Sequence, residues 1–232
     1  MTVKKGQVVE ATLLSRPNRF LGLATLNDGE VQAFIPNPGR MEELMIEGKP
    51  IYLKHLPSPK RKTDYDMIAV RHEGMLISID SRLPNHFVGQ LLEEHRLPSF
   101  SEYSRIKPEP SMFDGRFDFK LYGGSVDSII EVKSCTLVQS RVALFPDAPT
   151  VRGARHMRHL ANALTKELAD RACVIFVIQR PDAGLFAPND RTDPEFGDAL
   201  REAHQQGVEI MVLLTKLEGW KLEFLQQLQC KL

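Results

Sequence analysis

The stretch Gly115–Phe119 has the sequence Gly-Arg-Phe-Asp-Phe, and thirteen residues after its aspartate comes Glu131-Val132-Lys133. Because side chains alternate faces along a strand, Glu131 and Lys133 share one face, and a hairpin turning through residues 122–126 brings Asp118 opposite them. Two carboxylates and an ammonium on one face suit a hard divalent cation bound through oxygen and a water directed at phosphorus. The pattern predicts a metal-dependent phosphodiesterase.

The tripeptide Glu-x-Lys by itself is more typical of an ordinary half-solvated strand, whose exposed face alternates polar with apolar residues. Asp118 argues against that interpretation, since it lies between Phe117 and Phe119 in a second apolar strand-like segment. A charged side chain is rarely placed among large apolar neighbours without a partner or a metal. The combined pattern therefore favours a functional site.

Composition limits the function only loosely. The chain has 232 residues, with 30 Lys plus Arg balanced by 30 Asp plus Glu, so any affinity for DNA must come from charge concentrated in patches. No apolar run resembles a signal peptide or a membrane span, and we expect a cytoplasmic protein without membrane contact. Its three widely spaced cysteines argue against a disulfide framework and against a zinc site.

The segment 1–82 has the pattern of short strands joined by turns. The turn residues Asn27-Asp28-Gly29-Glu30 indicate a hairpin. We expect one short helix near 41–45 and strands at 7–14, 20–26, 31–35, 50–55, 65–72 and 75–79. Such an arrangement predicts an OB-like β-barrel domain, a fold that often binds single-stranded nucleic acid.

The segment 83–232 alternates helices with apolar strands, which predicts an α/β domain with a mixed sheet and an α+β protein overall. We expect Asn85 to cap a helix that ends near Arg96. Further helices are expected at about 153–170 and 194–206, with strands at 172–179, 208–215 and 220–225. The Gln-rich C-terminal tail is expected to be a frayed end.

Basic residues form three groups that could contact phosphate. Arg152, Arg155 and His156 lie in the first turns of the helix expected near Gly153, where free N–H groups favour an anion, so we predict phosphate contact there. For His156, proton transfer and an ordinary surface histidine stay open. The second group is Lys60, Arg61 and Lys62, for which phosphate contact and an ordinary solvated loop are equally good interpretations. The third group is Arg40 with Arg16 and Arg19, for which the same two alternatives stay open.

The Asp and Glu-x-Lys pattern resembles the PD-(D/E)xK nuclease superfamily, and the wider sequence is similar to the sugar fermentation stimulation protein A family of bacteria and archaea. The resemblance covers most of the chain and implies an OB-like domain, a nuclease-like α/β domain, DNA binding, and an association with the regulation of maltose use. The matching segments, in order, are 36–41, 83–85, 116–119, 131–134, 143–148, Arg152-Gly153 with His156, and 177–180.

The resemblance also implies roles for individual residues. Asp118, Glu131 and the Val132 carbonyl would ligate Mg²⁺ or Mn²⁺, and Lys133 would position the attacking water. Gln179 matches a glutamine at the end of a core strand, where it would hold a water or the lysine, although a structural amide fits equally well.

Two further positions stay open. Asp147 could be a third acid or a turn residue. Some members of the superfamily carry another acid on the helix before the hairpin, but this chain has Gly89 and Gln90 there, with Glu93 and Glu94 one turn later. That departure leaves one-metal and two-metal sites open.

Two functions follow from these expectations. The first is a divalent-metal-dependent nuclease acting on DNA, single-stranded or duplex. The alternative is a non-catalytic DNA-binding regulator of sugar (maltose) metabolism genes. A small-molecule enzyme using the same metal site also stays open, as does a homodimer.

Overall fold

The N-terminal domain is a β-barrel in the computed structural model, which describes residues 3–232. The first two residues of the predicted domain 1–82 lie outside the described residues. The strands pair in the order β3-β2-β1-β4-β5-β6, and β3 also pairs with β5, which closes a five-stranded OB barrel with β6 attached to β5. This confirms the predicted barrel. Its strands are β1 (Val8–Asn18), β2 (Leu21–Leu26), β3 (Gly29–Phe34), β4 (Pro50–His55), β5 (Tyr65–His72) and β6 (Met75–Ser78).

Local sequence explains the barrel's turns and its narrow interior. Leu26 pairs with Gly29, and the intervening Asn27 and Asp28 have φ values of 50° and 63°, as a two-residue type I′ hairpin turn requires. A Cβ atom on Gly22 would lie 2.5 Å from Cε of Met67, so this position stays free for the methionine that fills the core. The predicted hairpin is therefore present.

The helix predicted near 41–45 is absent, and the chain there forms a turn. Met41 has a φ of 51°, which lies outside the helical region. Its N–H donates to Asp147 Oδ2 at 2.7 Å instead of to a neighbouring carbonyl. The Met45 N–H still donates to the Met41 carbonyl at 2.8 Å, so one turn forms but no helix follows it.

The C-terminal domain is built on a six-stranded mixed sheet, as predicted. Strands β11, β14 and β16 are parallel, and the outer strands are antiparallel, in the order β17-β16-β14-β11-β10-β7. The strands of this sheet are β7 (Arg105–Pro108), β10 (Phe119–Tyr122), β11 (Ser128–Cys135), β14 (Arg171–Ile178), β16 (Glu209–Glu218) and β17 (Lys221–Gln227). Two small sheets add β8 (Ser111–Met112), β9 (Gly115–Arg116), β12 (Val138–Gln139), β13 (Val142–Phe145) and β15 (Leu185–Pro188). The helices are α1 (Leu83–Glu93), α2 (Val151–Thr165) and α3 (Pro194–Gln205).

The central sheet separates two hydrophobic cores. On one face, Phe176 and its alternate neighbours on β14 pack with residues of α2 and α3. On the other face, Ile175 and Val177 pack with α1 and with Tyr52 and Ala69 of the barrel. Burial on both faces explains why β14 is a continuous apolar run. The second core joins the two domains.

Several predicted boundaries and caps need correction. Helix α1 begins at Leu83 after Arg82, so Asn85 lies inside the helix and is not its cap. Helix α2 begins at Val151, because the Thr150 side chain accepts a hydrogen bond from the Gly153 N–H. The tail is ordered where a frayed end was expected: β17 runs to Gln227, and Cys230 bridges to Phe186.

None of the helices within residues 3–232 is long and apolar enough to cross a membrane. All three cysteines are free thiols, as expected.

Phe176 provides a test of the core. Its ring is fully buried and its centroid lies 4.3 Å from that of Phe186 and 5.5 Å from that of Phe145. We expect Phe176→Ala to lower the free energy of unfolding by about 3–5 kcal/mol, since the cavity left behind cannot collapse between these aromatic neighbours. Urea denaturation followed by circular dichroism measures the loss. The matched control is Phe224→Ala, at a side chain that is 41% exposed on β17; an equal loss there would contradict the assignment of the core.

Candidate functional site

The site lies where β10 and β11 begin to separate. Phe119 pairs with Ile130, and the Asp118 N–H donates to the Ile130 carbonyl at 3.1 Å. That register places Asp118 opposite Glu131, and Lys133 follows on the same face of β11. The structure therefore brings together the two carboxylates and the ammonium that the sequence pattern grouped.

Asp118 is held by two donors. Its Oδ2 accepts a hydrogen bond of 2.7 Å from the Val132 N–H, and its Oδ1 accepts from the Asn85 side chain of α1. Because the N–H and C=O of a strand residue point to the same side, the Val132 carbonyl is directed toward Asp118 as well. Burial, together with the neighbouring Glu131 carboxylate, raises the pKa of Asp118 to about 7.

Glu131 is buried and its Oε1 atom receives two donors. Lys133 Nζ lies 2.5 Å away, and His156 Nδ1 also donates to it. His156 Nε2 in turn accepts a hydrogen bond of 3.2 Å from Arg152, which fixes the proton of a neutral imidazole on Nδ1. Burial works to raise the pKa of Glu131, but Lys133 and His156 outweigh it, so the pKa lies below its usual value.

The second oxygen of Glu131 has no partner in the chain. Oε2 is buried and has no hydrogen-bond partner among the described residues. An orphaned buried carboxylate oxygen is costly unless something outside the chain binds it. The unpaired Glu131 Oε2 atom therefore indicates that the site needs a partner from outside the chain.

Both carboxylates face a cleft of about 650 Å³ between the two domains. The barrel contributes Arg19, Pro38 and Gly39 to its wall. The α/β domain contributes the β11 residues and the segment 144–150 after β13. A ligand at the carboxylates would therefore contact both domains.

Asp147 ties the domains together across this cleft. Its Oδ2 accepts from the Met41 N–H, and a Cβ atom on Gly39 would lie 2.9 Å from the same oxygen. Burial raises the pKa of Asp147. Asp147 lines the cleft while its carboxylate accepts from the barrel, and its roles as a third acid or a turn residue both stay predictions.

Gln179 lies behind the wall of the cleft. Its side chain is fully buried and donates from Nε2 to Ser134 Oγ at 3.0 Å, and Ser134 lines the cleft next to Lys133. Its Oε1 atom is buried without a hydrogen-bond partner among the described residues. The catalytic role and the structural amide both stay predictions.

One of the predicted nucleic-acid contacts is turned inward, and a second is partly engaged within the protein. His156 is 4% exposed and both of its ring nitrogens are engaged inside the protein, so it belongs to the Glu131 network and not to a DNA-facing surface. The Arg61 guanidinium donates to the buried Asp66 carboxylate and the Thr63 carbonyl, but 28% of its side chain is exposed and it lines the same cavity as Lys62.

The other predicted contacts are accessible. Lys60 and Lys62 are exposed on the barrel, and Arg40 lines a second cavity beside the cleft. Arg152 and Arg155 are exposed at the start of α2, where Arg155 also lies 3.3 Å from Asp114. The accessible cations therefore flank the cleft from both domains.

Sequence reasoning missed the contribution of Asn85. It lies on the same helical stripe as Val88 and Leu92, which are buried, so a polar residue there needs a partner. That spacing was a usable signal. Only the tertiary arrangement identifies the partner as Asp118.

The acidic side chains alone do not provide enough ligands for a cation at this site, so further ligands are needed. Within residues 3–232, no group of three or more His, Cys, Asp and Glu residues is arranged to hold a metal ion. The available protein ligands are the carboxylates of Asp118 and Glu131 and the Val132 carbonyl, all hard oxygen donors that suit Mg²⁺, Mn²⁺ or Ca²⁺. The orphaned Glu131 Oε2 and the crowded charge of the two carboxylates fit such an ion.

The fold and the site define a class of two-domain protein in which an OB barrel and a mixed-sheet α/β domain enclose a carboxylate-lysine cleft. Residues 14–79 match the family model of the SfsA N-terminal OB domain, and residues 82–220 match that of the sugar fermentation stimulation protein RE domain. The chain belongs to the sugar fermentation stimulation protein (SfsA) family.

Individual relatives support this assignment. The sugar fermentation stimulation protein homolog of Moorella thermoacetica is 44% identical over 207 residues, which cover 88% of each chain. The homolog of Acetivibrio thermocellus is 38% identical over 216 residues, covering 93% of this chain and 92% of the relative. The solved structure of Pyrococcus furiosus SfsA in complex with Ca²⁺ has a TM-score of 0.89 and 29% identity, covering 99% of this chain and 98% of that one.

The charge at Asp118 gives a pH-dependent prediction. A carboxyl whose pKa is raised by folding weakens the native state once it ionises, so stability at this site falls as the pH rises from about 4 to about 7. We expect Asp118→Asn to raise the free energy of unfolding by roughly 1–2 kcal/mol near pH 8 in EDTA, and to have little effect near pH 4. Thermal melting at both pH values measures this.

The control is Asp198→Asn, at a carboxylate on α3 whose side chain is 72% exposed. It should change stability little at either pH. A loss of stability in Asp118→Asn near pH 8 would show that its hydrogen bonds outweigh the burial of its charge.

Proposed function

We propose that this protein binds DNA and hydrolyses its phosphodiester bonds with the help of Mg²⁺ or Mn²⁺. The observation that carries the proposal is the arrangement of the buried Glu131 with the half-buried Asp118 and Lys133, facing an interdomain cleft. This arrangement, on two neighbouring strands of a mixed sheet, matches the core pattern of the PD-(D/E)xK nucleases.

A divalent cation is supported by two features of the chain. Glu131 Oε2 is buried without a partner, and the proximity of Glu131 contributes to the raised pKa of Asp118. A bound cation would relieve both. The related Pyrococcus furiosus protein forms a complex with Ca²⁺, an ion that takes oxygen ligands, as Mg²⁺ does.

When bound in such a site, a divalent cation lowers the pKa of a coordinated water and polarises a phosphoryl oxygen. Lys133 has its ammonium within 2.5 Å of Glu131 Oε1 and only 13% of its side chain exposed, so it is held where it can orient a water and offset charge developing on phosphate. His156 and Arg152 act through Glu131: they keep it ionised and fix its orientation, as outer partners of metal ligands do.

DNA as the ligand is supported by the accessible cations around the cleft. The chain has no net charge, so binding would rest on local groups: Arg19 and Arg40 on the barrel side and Arg152 on the α2 side. Lys60 and Lys62 extend this surface along the barrel. The cytoplasm is the location that this function requires, and the free cysteines suit its reducing environment. A homodimer stays a prediction.

A non-catalytic DNA-binding regulator of maltose genes is the second candidate, and one contact favours it. The side chain of α1 that touches Asp118 is the neutral amide of Asn85, in a region where some relatives of the nuclease superfamily carry an acid. A site with two carboxylates suits one cation at most, so turnover would be slow or absent if two are needed.

Cleavage of labelled DNA decides between the two. We expect single-stranded, duplex or branched DNA to be cut in Mg²⁺ or Mn²⁺, and Asp118→Ala and Lys133→Ala each to lower the rate at least about 100-fold, because each removes part of the charge stabilisation. Binding should persist in both variants. Gel electrophoresis of the products and fluorescence anisotropy measure the two effects.

The matched control is Lys216→Ala, at a lysine on β16 of the same sheet that pairs with surface glutamates. Its cleavage rate should stay at the wild-type value. DNA binding without cleavage in any divalent cation would favour the regulator, whereas no binding at low salt would contradict both candidates. Thermal melting with Ca²⁺ reports metal binding separately: stabilisation of the wild type should disappear in Glu131→Gln.

The start of α2 gives a second test of DNA contact. We expect Arg152→Ala and Arg155→Ala to weaken DNA binding and to lower the slope of log affinity against log salt by about one for each phosphate that is no longer neutralised. Arg158→Ala is the control, since this arginine on the same helix pairs with Glu195 of α3. An unchanged slope in the first two variants would show that phosphate does not bind there.

A further inference from the structure

We infer that the barrel holds single-stranded DNA by stacking unpaired bases on Phe20 and Phe34, at the end of a groove that leads from the carboxylate cleft. The inference rests on the proposed function and names its substrate: DNA with an unpaired strand. Neither phenylalanine belongs to the site described above.

The first observation is an exposed phenylalanine on a turn, whose ring lies beside the half-buried ring of a phenylalanine on β3. Phe20 is 45% exposed, and its ring lies nearly parallel to that of Phe34, with 6.2 Å between centroids and 17° between planes. The backbone of Phe20 is fixed at both ends, since its N–H donates to Asn18 and its carbonyl accepts from Ile35. A large apolar ring is thus presented to solvent in a fixed orientation.

The second observation is positive charge around the rings. The Arg19 guanidinium lies 5.9 Å from the Phe20 ring centroid, and Lys62 lines the same cavity of about 580 Å³. The remaining residues of that cavity wall are neutral apart from Arg61, which is engaged by Asp66. A cation-flanked aromatic surface is complementary to bases joined by phosphates.

The third observation is continuity with the cleft. Asn18 borders both the aromatic cavity and a neighbouring cavity of about 480 Å³ that contains Arg40 and one acidic residue, Glu42. Arg19 borders that neighbouring cavity and the carboxylate cleft. The three cavities therefore adjoin one another in a row with arginines along it, and we infer that this row is one groove for a strand.

The wall of this groove is stiff. The Arg16 guanidinium donates to the backbone carbonyls of Arg19, Asn37 and Gly39, which holds the two loops that border the middle cavity. A preformed groove binds an extended strand without the cost of ordering loops.

These features favour a single strand over a duplex. In duplex DNA the base faces are covered by their neighbours, so only unpaired bases can stack on Phe20 and Phe34. A strand whose bases lie on the barrel would lead its backbone past Arg19 and Arg40 toward Asp118 and Glu131.

Fluorescence anisotropy in EDTA tests the inference without cleavage. The probe is a labelled oligothymidylate of about 15 nucleotides, compared with a duplex of the same length. We expect Phe20→Ala to weaken binding of the single strand about 5- to 100-fold, the range typical for removal of one stacked base, with a smaller effect on the duplex. Phe34→Ala should act in the same direction, and Phe20→Tyr should retain binding.

The matched control is Phe224→Ala, which removes a ring of similar exposure from the other domain and should leave binding unchanged. Circular dichroism melting confirms that each variant is folded. If Phe20→Ala and the wild type bind the single strand equally, the inference is wrong. The proposed function is tested separately, and it is retained if Lys133→Ala abolishes cleavage.

Three other outcomes also overturn the inference. Tighter binding of oligouridylate than of oligothymidylate would assign the rings to RNA. Disappearance of a dimer in Phe20→Ala on gel filtration, with single-strand binding unchanged, would assign them to a contact between copies of the chain. No binding of any DNA by the wild type would remove the proposed function together with the inference.

Discussion

The placement of two carboxylates opposite each other, Glu131 buried and Asp118 half-buried, is the constraint around which this molecule is arranged. They lie beside a sheet with apolar cores on both faces, so their charges repel where water screens them poorly. Each neighbouring element supplies a compensating group: α1 supplies Asn85, β11 supplies the Val132 N–H and Lys133, and α2 supplies His156. The Glu131 Oε2 atom is left without a hydrogen-bond partner among the described residues.

The two domains contribute different charges around the cleft. The α/β domain places Asp118 and Glu131 in its wall, whereas the barrel contributes Arg19 to the cleft and Arg40 to the cavity beside it. Asp147 links the two domains by accepting a hydrogen bond from the Met41 N–H. A polyanionic ligand would be attracted by the barrel and held against the carboxylates only with a cation between them.

Much of the fold and part of the site could be predicted from sequence, because the signals involved are local. Alternation along β11, the Asn27-Asp28 turn and the apolar runs of the strands depend on neighbours in the chain, and the placement of Asp118 opposite Glu131 required only a hairpin register. Other features depend on partners far away in sequence. The turn at Met41 is bonded to Asp147, 106 residues away, and the sequence left His156 open as a phosphate contact, a proton-transfer group or a surface residue, whereas the packing of α2 directs it to Glu131.

One hydrophobic core is shared by the two domains and limits how they can move relative to each other. It contains Tyr52 and Ala69 of the barrel and Ile175 and Val177 of the central sheet. Separating the domains would expose that shared core to water. We therefore expect the barrel and the sheet to unfold as one cooperative unit, without a hinge motion that opens the cleft. The width of the cleft would then be constant, and a ligand must be narrow and flexible enough to enter it.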